Sequence, residues 1–387
     1  MKKYFSSDFK LGILGGGQLG KMMLYETRKF DIQTHVLDPN EEAPCRISCN
    51  YFEQGDLIDY DTVLQFGRNV DVLTFEIESV NVEALEQLEK EGKKVFPASE
   101  TLRKIQDKSV QKEFYKKHKI PTANFHFFST KAEMTEALVL KKLAFPFVWK
   151  SATGGYDGKG VSVIGNDEDA IPLPDVACIV EEMIRFKNEL SVIVARNVSG
   201  EMKTYPVVEM EFHPEANQVE YVICPARIDE KVAEKARNIA LKVSEAFDHV
   251  GLLAVEMFQT KDDEILVNEV APRPHNSGHY SIEGSYTNQF EQHIRAILDL
   301  PLGNTESKVG AVMVNLVGSE NHEGNVVYQN MEEILGLKGV TPHIYGKKLT
   351  RPFRKMGHVT IVNKDLNEAR KIAEEVKKTI HVISKEP

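Results

Sequence analysis

Two glycine-rich loops, built on different plans, constrain this chain more than any other feature. The first, Gly15-Gly-Gly-Gln-Leu-Gly20, follows the apolar stretch Leu11–Leu14 and enters a helical pattern over Leu19–Lys29. Strand, glycine turn and helix in that order open a parallel, doubly wound unit. The second follows Phe145–Lys150, reads Ser-Ala-Thr-Gly-Gly-Tyr-Asp-Gly-Lys-Gly, and enters another strand, Val161–Ile164. Strand, loop and strand make a flap, with no helix N-terminus to offer. A chain of 387 residues carrying both suits two or three packed domains.

The pattern along the chain fills in those units. Strands at Thr34–Leu37, Val72–Phe75 and Lys94–Phe96, with a helix over Val82–Glu91, extend the first into a parallel sheet. A charged helix from Thr101 to His118 ends before Pro121. Strands at Cys178–Ile184 and Leu190–Ala195 complete a small sheet with the flap, and an antiparallel block spans Thr204–Glu269. Inside that block Val232, Ala236, Ile239, Ala240, Val243 and Phe247 recur at spacings of three and four, one buried helix face. The tail from Val309 has strands, a basic loop and a closing helix. The expected fold is α/β and α+β: residues 1–120, 121–305 (with 121–195 as a lid) and 306–387.

Composition narrows the function. A formal charge of −10 argues against a general nucleic-acid binder, which needs a basic surface. No apolar run approaches the ~18 residues of a membrane span, and Lys2, Lys3, Asp8 and Lys10 leave no signal-peptide core. Four cysteines read as free thiols in a reducing cytoplasm, and no His or Cys near Cys45 and Cys49 completes a zinc set.

Each loop suggests a phosphate. Backbone amides at the first turn would approach one at the helix N-terminus, and Asp38 sits where a ribose-binding acid is expected. A nicotinamide dehydrogenase is one reading; a phosphate site for a second substrate, with Glu76 facing the same crevice, fits the rest of the chain better. The second loop carries four glycines in seven residues, bracketed by Lys150 and Lys159. It lacks the G-K-[ST] of a P-loop, so lysines must supply the charge that a helix dipole would.

Acidic and basic residues complete the set. Leu252–Phe258 and Glu264–Val270 form a hairpin, and a turn centred between Asp262 and Asp263 sets Glu256 across from Glu269. Like charges directly opposite are destabilising, and Mg²⁺ held by both carboxylates, with Asn268 adding an oxygen, would offset that. The metal strand runs into Ala271-Pro-Arg-Pro-His-Asn-Ser-Gly-His279, whose prolines stiffen the presentation of Arg273, His275 and Asn276. Lys347, Lys348, Arg351, Arg354, Lys355 and His358 crowd a C-terminal loop that suits a substrate phosphate.

Taken together, Gly15–Gly20, Phe75-Glu-Ile-Glu78, Thr153–Gly160, Asn268–His279 and Arg354-Lys-Met-Gly-His358 resemble the ATP-grasp superfamily. Within it the likeness is to the N5-carboxyaminoimidazole ribonucleotide synthetases of purine biosynthesis. The resemblance implies a Rossmann-like N-terminal domain, a central ATP-grasp domain and a small C-terminal domain in a homodimer. For ATP it implies Lys108, Lys150, the flap Gly155, Tyr156, Asp157, Gly158, Lys159, Gly160 and Val161, then Glu181, Glu182, Met183 and Ile184 at the adenine. Glu189 would hold the ribose, with His213, Asn268 and Glu269 further contacts, and Glu256 and Glu269 the magnesium. For 5-aminoimidazole ribonucleotide it implies Gln18, Leu19, Glu76, Tyr156, Asp157, Lys347 and Arg354. Arg273, His275 and Asn276 would line the bicarbonate pocket. The related formate-using glycinamide ribonucleotide enzyme is an alternative, as is a nucleotide sensor without catalysis.

Overall fold

Leu11–Leu14 alternates its side chains between two apolar layers, and that decides the first sheet. Leu11 and Ile13 meet Leu19, Met22 and Met23 on one face, while Leu14 joins Leu37, Leu73 and Phe75 on the other. A strand covered on both sides belongs in a parallel sheet between helices. The computed structural model, which describes residues 4–154, 160–213 and 218–385, has that arrangement. Strands β1 (Lys10–Leu14), β2 (Gln33–Asp38), β3 (Tyr51–Gln54), β4 (Val72–Phe75) and β5 (Lys94–Val95) run parallel in the order β3-β2-β1-β4-β5.

Helices α1 (Gln18–Arg28), α2 (Tyr60–Arg68) and α3 (Val82–Lys90) belong to this domain, and α4 (Ser99–Gln106) and α5 (Lys108–Lys117) lead out of it. The sequence reading missed β3, a largely exposed edge strand, and α2, whose signal is the Asp59 carboxylate accepting from the Thr62 amide. It also ran α4 and α5 together. Asp107 is extended between them and caps α5, accepting from the Ser109 amide at 2.8 Å. This break starts a helix at Lys108, whose amide donates to the Ala152 carbonyl at 2.8 Å.

The lid sheet holds β6 (Phe125–Phe128), β7 (Phe147–Ser151), β8 (Val161–Ile164) and β9 (Cys178–Glu182) in the order β6-β9-β7-β8, covered by α6 (Lys131–Val139) and α7 (Asp167–Ala170). Leu190–Ala195, expected here, lies instead in β10 (Phe186–Arg196) of a second, nine-stranded sheet. With β10 go β11 (Met202–Thr204), β12 (Val208–Phe212), β13 (Val219–Cys224), β14 (Gly251–Thr260) and β15 (Ile265–Ala271).

This large sheet does not stop at the expected domain boundary. Strand β13 pairs with β16 (Gly310–Val317), and β20 (Lys355–Asn363) and β18 (Val340–Ile344) follow. A small sheet of β17 (Gly324–Gln329), β19 (Leu349–Thr350) and β21 (His381–Ser384) completes the C-terminal part with α11 (Met331–Leu335) and α12 (Leu366–Thr379). The closing helix is thus followed by one more strand.

Alternation along β10 and β14 positions the active face. Leu190, Val192 and Val194 with Leu253, Val255 and Met257 pack against α8 (Glu230–Phe247). On the opposite face Ile193, Ala195, Leu252 and Ala254 are covered from α10 (Gln289–Ile297), which follows the one-turn α9 (Ser281–Gly284). The same face continues past this apolar cover as Glu189, Ser191 and Glu256, since Ser191 pairs with Glu256. Helix α10 also gives Phe290, Ile294 and Ile297 to the core of the first domain. The domains therefore share a joint rather than a linker. Among the described residues no helix is long and apolar enough to cross a membrane.

Buried His293 pins that joint. Its Nδ1 accepts from the Leu252 amide at 3.3 Å, so Nε2 carries the proton and donates to Thr74 Oγ1 at 2.9 Å. Burial pushes the imidazole down to about 3. A group whose folded pKa is depressed stabilises fully above its unfolded value near 6.5, and that stabilisation is lost as pH falls toward 3. Replacing His293→Gln should flatten the acid side of the stability profile, with about 2 kcal/mol less lost between pH 6.5 and 5. Urea melts at the two pH values would show it, and parallel profiles would remove His293 as the source.

Candidate active site

The hairpin of β14 and β15 brings the two carboxylates together by a route the sequence did not suggest. The turn is centred on Asp262, not beside it: the Thr260 amide donates to the Glu264 carbonyl at 2.9 Å, and Asp263 adopts φ 60°. That register alone would set Glu256 across from Asn268. A bulge at Asn268 moves it by one residue, so Glu256 pairs with Glu269 and Asn268 is the extra residue beside them. The expected pairing is correct and its expected turn is not.

Three acids now share one face. Burial first, then Glu269 and Glu189, push the Glu256 carboxyl up to about 8, against the pull of Lys355 and Lys150. Burial and Glu269 push Glu189 up to about 7. The three acids outnumber Lys355 and Lys150, the lysines whose charge reaches Glu256, and their donors are hard oxygens. Among the described residues no three His, Cys, Asp or Glu side chains form a ready-made metal cage. Magnesium, which takes one or two carboxylates and completes its shell with phosphate oxygens and water, fits such a donor set.

Lysines meet this face from the lid. Lys150 Nζ donates to Asn268 Oδ1 at 2.9 Å, linking β7 to the bulge, and lies 3.0 Å from Glu181 Oε2. Glu181 Oε1 is 3.0 Å from Lys112 Nζ, a lysine the sequence reading did not single out. Glu181, expected at the adenine through its backbone, thus commits its side chain to two lysines. Burial would raise that carboxyl, but Lys150 and Lys112 together hold it below its ordinary value. Glu182, Met183 and Ile184 follow at the rim, where Asn124 Nδ2 donates to Glu182 Oε2 at 2.6 Å. Of the flap, Gly155, Tyr156, Asp157, Gly158 and Lys159 lie outside the described residues, while Gly160 accepts from the Ser151 amide and Val161 pairs with Lys150. His213, at the end of β12, packs edge-on against Phe353.

The polar loop after β15 is locked from several sides. His275 Nδ1 accepts from the Ser277 amide at 3.3 Å, which leaves the proton on Nε2, 3.3 Å from Glu256 Oε1. Burial holds this imidazole well below its ordinary pKa, and Arg273 and Lys355 push the same way, so it is neutral at pH 7. Ser277 Oγ also bonds Ser191 Oγ at 2.8 Å, fastening the loop to β10. Arg273 Nε lies 2.8 Å from Glu78, so the Phe75–Glu78 motif holds the guanidinium. Asn276 and Asn315 exchange amide hydrogen bonds of 2.9 Å, and both side chains are buried.

The first glycine turn requires a correction. Amides of Gly17, Leu19 and Gly20 donate to Glu76 at 2.7, 3.0 and 3.0 Å, and the Gly16 amide donates to Asp38 at 2.6 Å. A protein carboxylate, that of Glu76, caps α1 where a phosphate was expected. Burial raises its carboxyl despite the amides and Arg273. The same occupancy removes the pyrophosphate site that a dinucleotide would need. Gln18 and Leu19 begin α1 beside the C-terminal part, where Lys21 Nζ donates to the Ile344 carbonyl at 3.0 Å.

The basic loop divides its residues. Lys348 pairs with Glu42 on the first domain, while Lys347 Nζ donates to the Lys355 carbonyl at 2.9 Å. Arg354 Nη1 donates to the Leu349 carbonyl at 2.6 Å. Lys355 lowers the pKa of Glu256, His275 and His279, so its charge lies near the carboxylates and the polar loop. Sequence reading placed it in the basic run without a role. The His358 ring stacks on His343 at 4.5 Å and lies 4.8 Å from His279, and burial keeps His279 and His358 neutral.

Comparison with known proteins agrees with this geometry. Residues 9–106 match the ribonucleotide synthetase preATP-grasp domain, 113–290 the ATP-grasp domain, and 311–372 the phosphoribosylaminoimidazole carboxylase C-terminal domain. The N5-carboxyaminoimidazole ribonucleotide synthase of Bacillus subtilis is 38% identical over 362 residues, 92% of each chain. A crystal structure of the Thermotoga maritima synthetase is 44% identical, covers 97% of this chain and 100% of that one, and superposes with a TM-score of 0.90. The Aspergillus clavatus enzyme, solved with ADP and 5-aminoimidazole ribonucleotide, is 33% identical over 96% of this chain and 98% of that one, with a TM-score of 0.88. With its three-part ATP-grasp architecture, this chain belongs to the N5-carboxyaminoimidazole ribonucleotide synthase family of ATP-dependent ligases.

Proposed function

We propose that the chain carboxylates 5-aminoimidazole ribonucleotide with bicarbonate, at the expense of ATP, giving N5-carboxyaminoimidazole ribonucleotide, ADP and phosphate. The observation that carries this reading is the Glu256–Glu269 pair facing Lys150 across the cleft, with neutral His275 beside it. The match of residues 311–372 to the carboxylase C-terminal domain favours bicarbonate over the formate-using alternative. Four free cysteines suit a cytoplasmic setting, and the family resemblance supports a homodimer.

In the first step a bicarbonate oxygen attacks the γ-phosphorus, the bond to ADP breaks, and carboxyphosphate forms. Such transfer depends on positioning and on neutralising charge. Lys108 and Lys150 would meet the phosphates, Glu182–Ile184 the adenine, and Glu189 the ribose. Glu256 and Glu269, with Asn268, would hold magnesium, which when bound offsets the charge of the triphosphate. Arg273, Lys355 and the Nε2–H of His275 would supply the positive and donor groups for a small oxyanion. In the second step the amine attacks the carboxyl carbon and phosphate departs. Arg354 and Lys347 would hold the ribonucleotide phosphate.

The central assay is phosphate release from ATP with and without the ribonucleotide and bicarbonate; release indifferent to both would remove the ligase reading. Exchanging Glu269→Gln should cut magnesium-dependent release by about 10²-fold or more while the thermal melt is unchanged. Activity within about threefold of the parent would contradict the metal assignment. Changing Lys355→Met should lower turnover with ATP affinity intact, whereas Arg354→Ala should raise KM for the ribonucleotide by about tenfold or more. If the two variants showed the reverse kinetics, the assignments to carboxyphosphate and ribonucleotide would be exchanged.

A further inference from the structure

Lys112 is a buried charge to which the reaction scheme gives no part. Its side chain is 2% exposed, and Glu181 and Lys150 beside it are 4% and 8% exposed. Two ammonium groups share this one carboxylate, each at 3.0 Å. Burial pulls the Lys112 ammonium down to about 8, with Glu181 opposing, so it stays charged at pH 7.

The two lysines are anchored differently. Lys112 Nζ donates to Thr122 Oγ1 at 2.6 Å, and that hydroxyl donates to the Val267 carbonyl at 2.7 Å. The Val267 amide in turn donates to the Pro121 carbonyl at 2.7 Å. This chain of contacts ends on the backbone of β15. Lys150, in contrast, is held by two side chains, Glu181 and Asn268, both at the cleft.

A buried carboxylate that loses its only counter-ion is strongly destabilised, whereas one with two can release one of them. We infer that Lys112 is a positioning residue for the nucleoside triphosphate: it remains on Glu181 so that Lys150 can turn from Glu181 to the phosphates. Lys112 itself touches no nucleotide in this scheme. The inference rests on the proposed contact between Lys150 and ATP phosphate.

The test is a double-mutant cycle read by calorimetric ATP binding in the presence of Mg²⁺, with thermal melts of every variant. K112M should weaken ATP binding by about 5- to 150-fold, the usual range of coupling between two sites. In the E181Q background, where no carboxylate holds Lys150, adding K112M should change affinity by no more than about threefold. That second comparison does not depend on K112M folding alone, because neither E181Q nor the double variant retains the buried carboxylate that K112M leaves one counter-ion short. Equal losses in both backgrounds, or none in either, would overturn the inference. K150M separates the two ideas: parental affinity in K150M would sink the phosphate contact itself, while loss in K150M with parental affinity in K112M would sink only the role of Lys112.

Discussion

One extra residue in β15 governs the geometry of the cleft. Without the bulge at Asn268, strand alternation would oppose Glu256 with an amide and turn Glu269 to the other face. With it, two hard carboxylates and an amide oxygen lie together, and the amide receives Lys150 from a different sheet. The irregularity thus joins the lid to the large sheet at the point where the carboxylates meet. Unpaired backbone is a local cost of any bulge, and here it is offset by contacts that a regular ladder could not make.

The second constraint is the continuity of the large sheet. Because β13 pairs with β16 and β16 with β20, the C-terminal segment has no freedom to swing away from the nucleotide side. Lys355 begins β20, opposite Val317 of β16, and its charge is felt at Glu256. Nearby, His343 stacks on His358, and His279 lies tilted against the same ring. Burial keeps His279 and His358 uncharged, and neutral rings can pack where charged ones would repel.

Strand positions and the acidic pair were legible because period-two alternation and a short polar turn are local signals. Even there the turn was misplaced, and a compensating bulge that no local signal announced restored the pairing. Lys112 and Lys355 were illegible for another reason. Each sits in a charged run that on its own reads as a solvated face, and only tertiary packing distinguishes a lysine under Glu181 from its exposed neighbours. The join between α4 and α5 was missed because Asp107 breaks the helix with a cap, without a proline or glycine to mark it.

Glu76 shows what a glycine motif does and does not specify. Successive amides at a helix N-terminus favour negative charge, but nothing in the motif says whether a ligand or the protein supplies it. Here the end of β4 supplies it, and Asp38 and Glu78 stand close by, one on the Gly16 amide and the other on Arg273. Three acids at the mouth of the parallel sheet would repel a ribonucleotide phosphate. The basic loop that ends in Arg354 and Lys355 has the opposite sign and rests against the start of α1 through Lys21 and the Ile344 carbonyl. The charge distribution therefore accords with the proposed hold of Lys347 and Arg354 on the ribonucleotide phosphate. In the doubly wound domain the anion position at the start of α1 is thus filled from within.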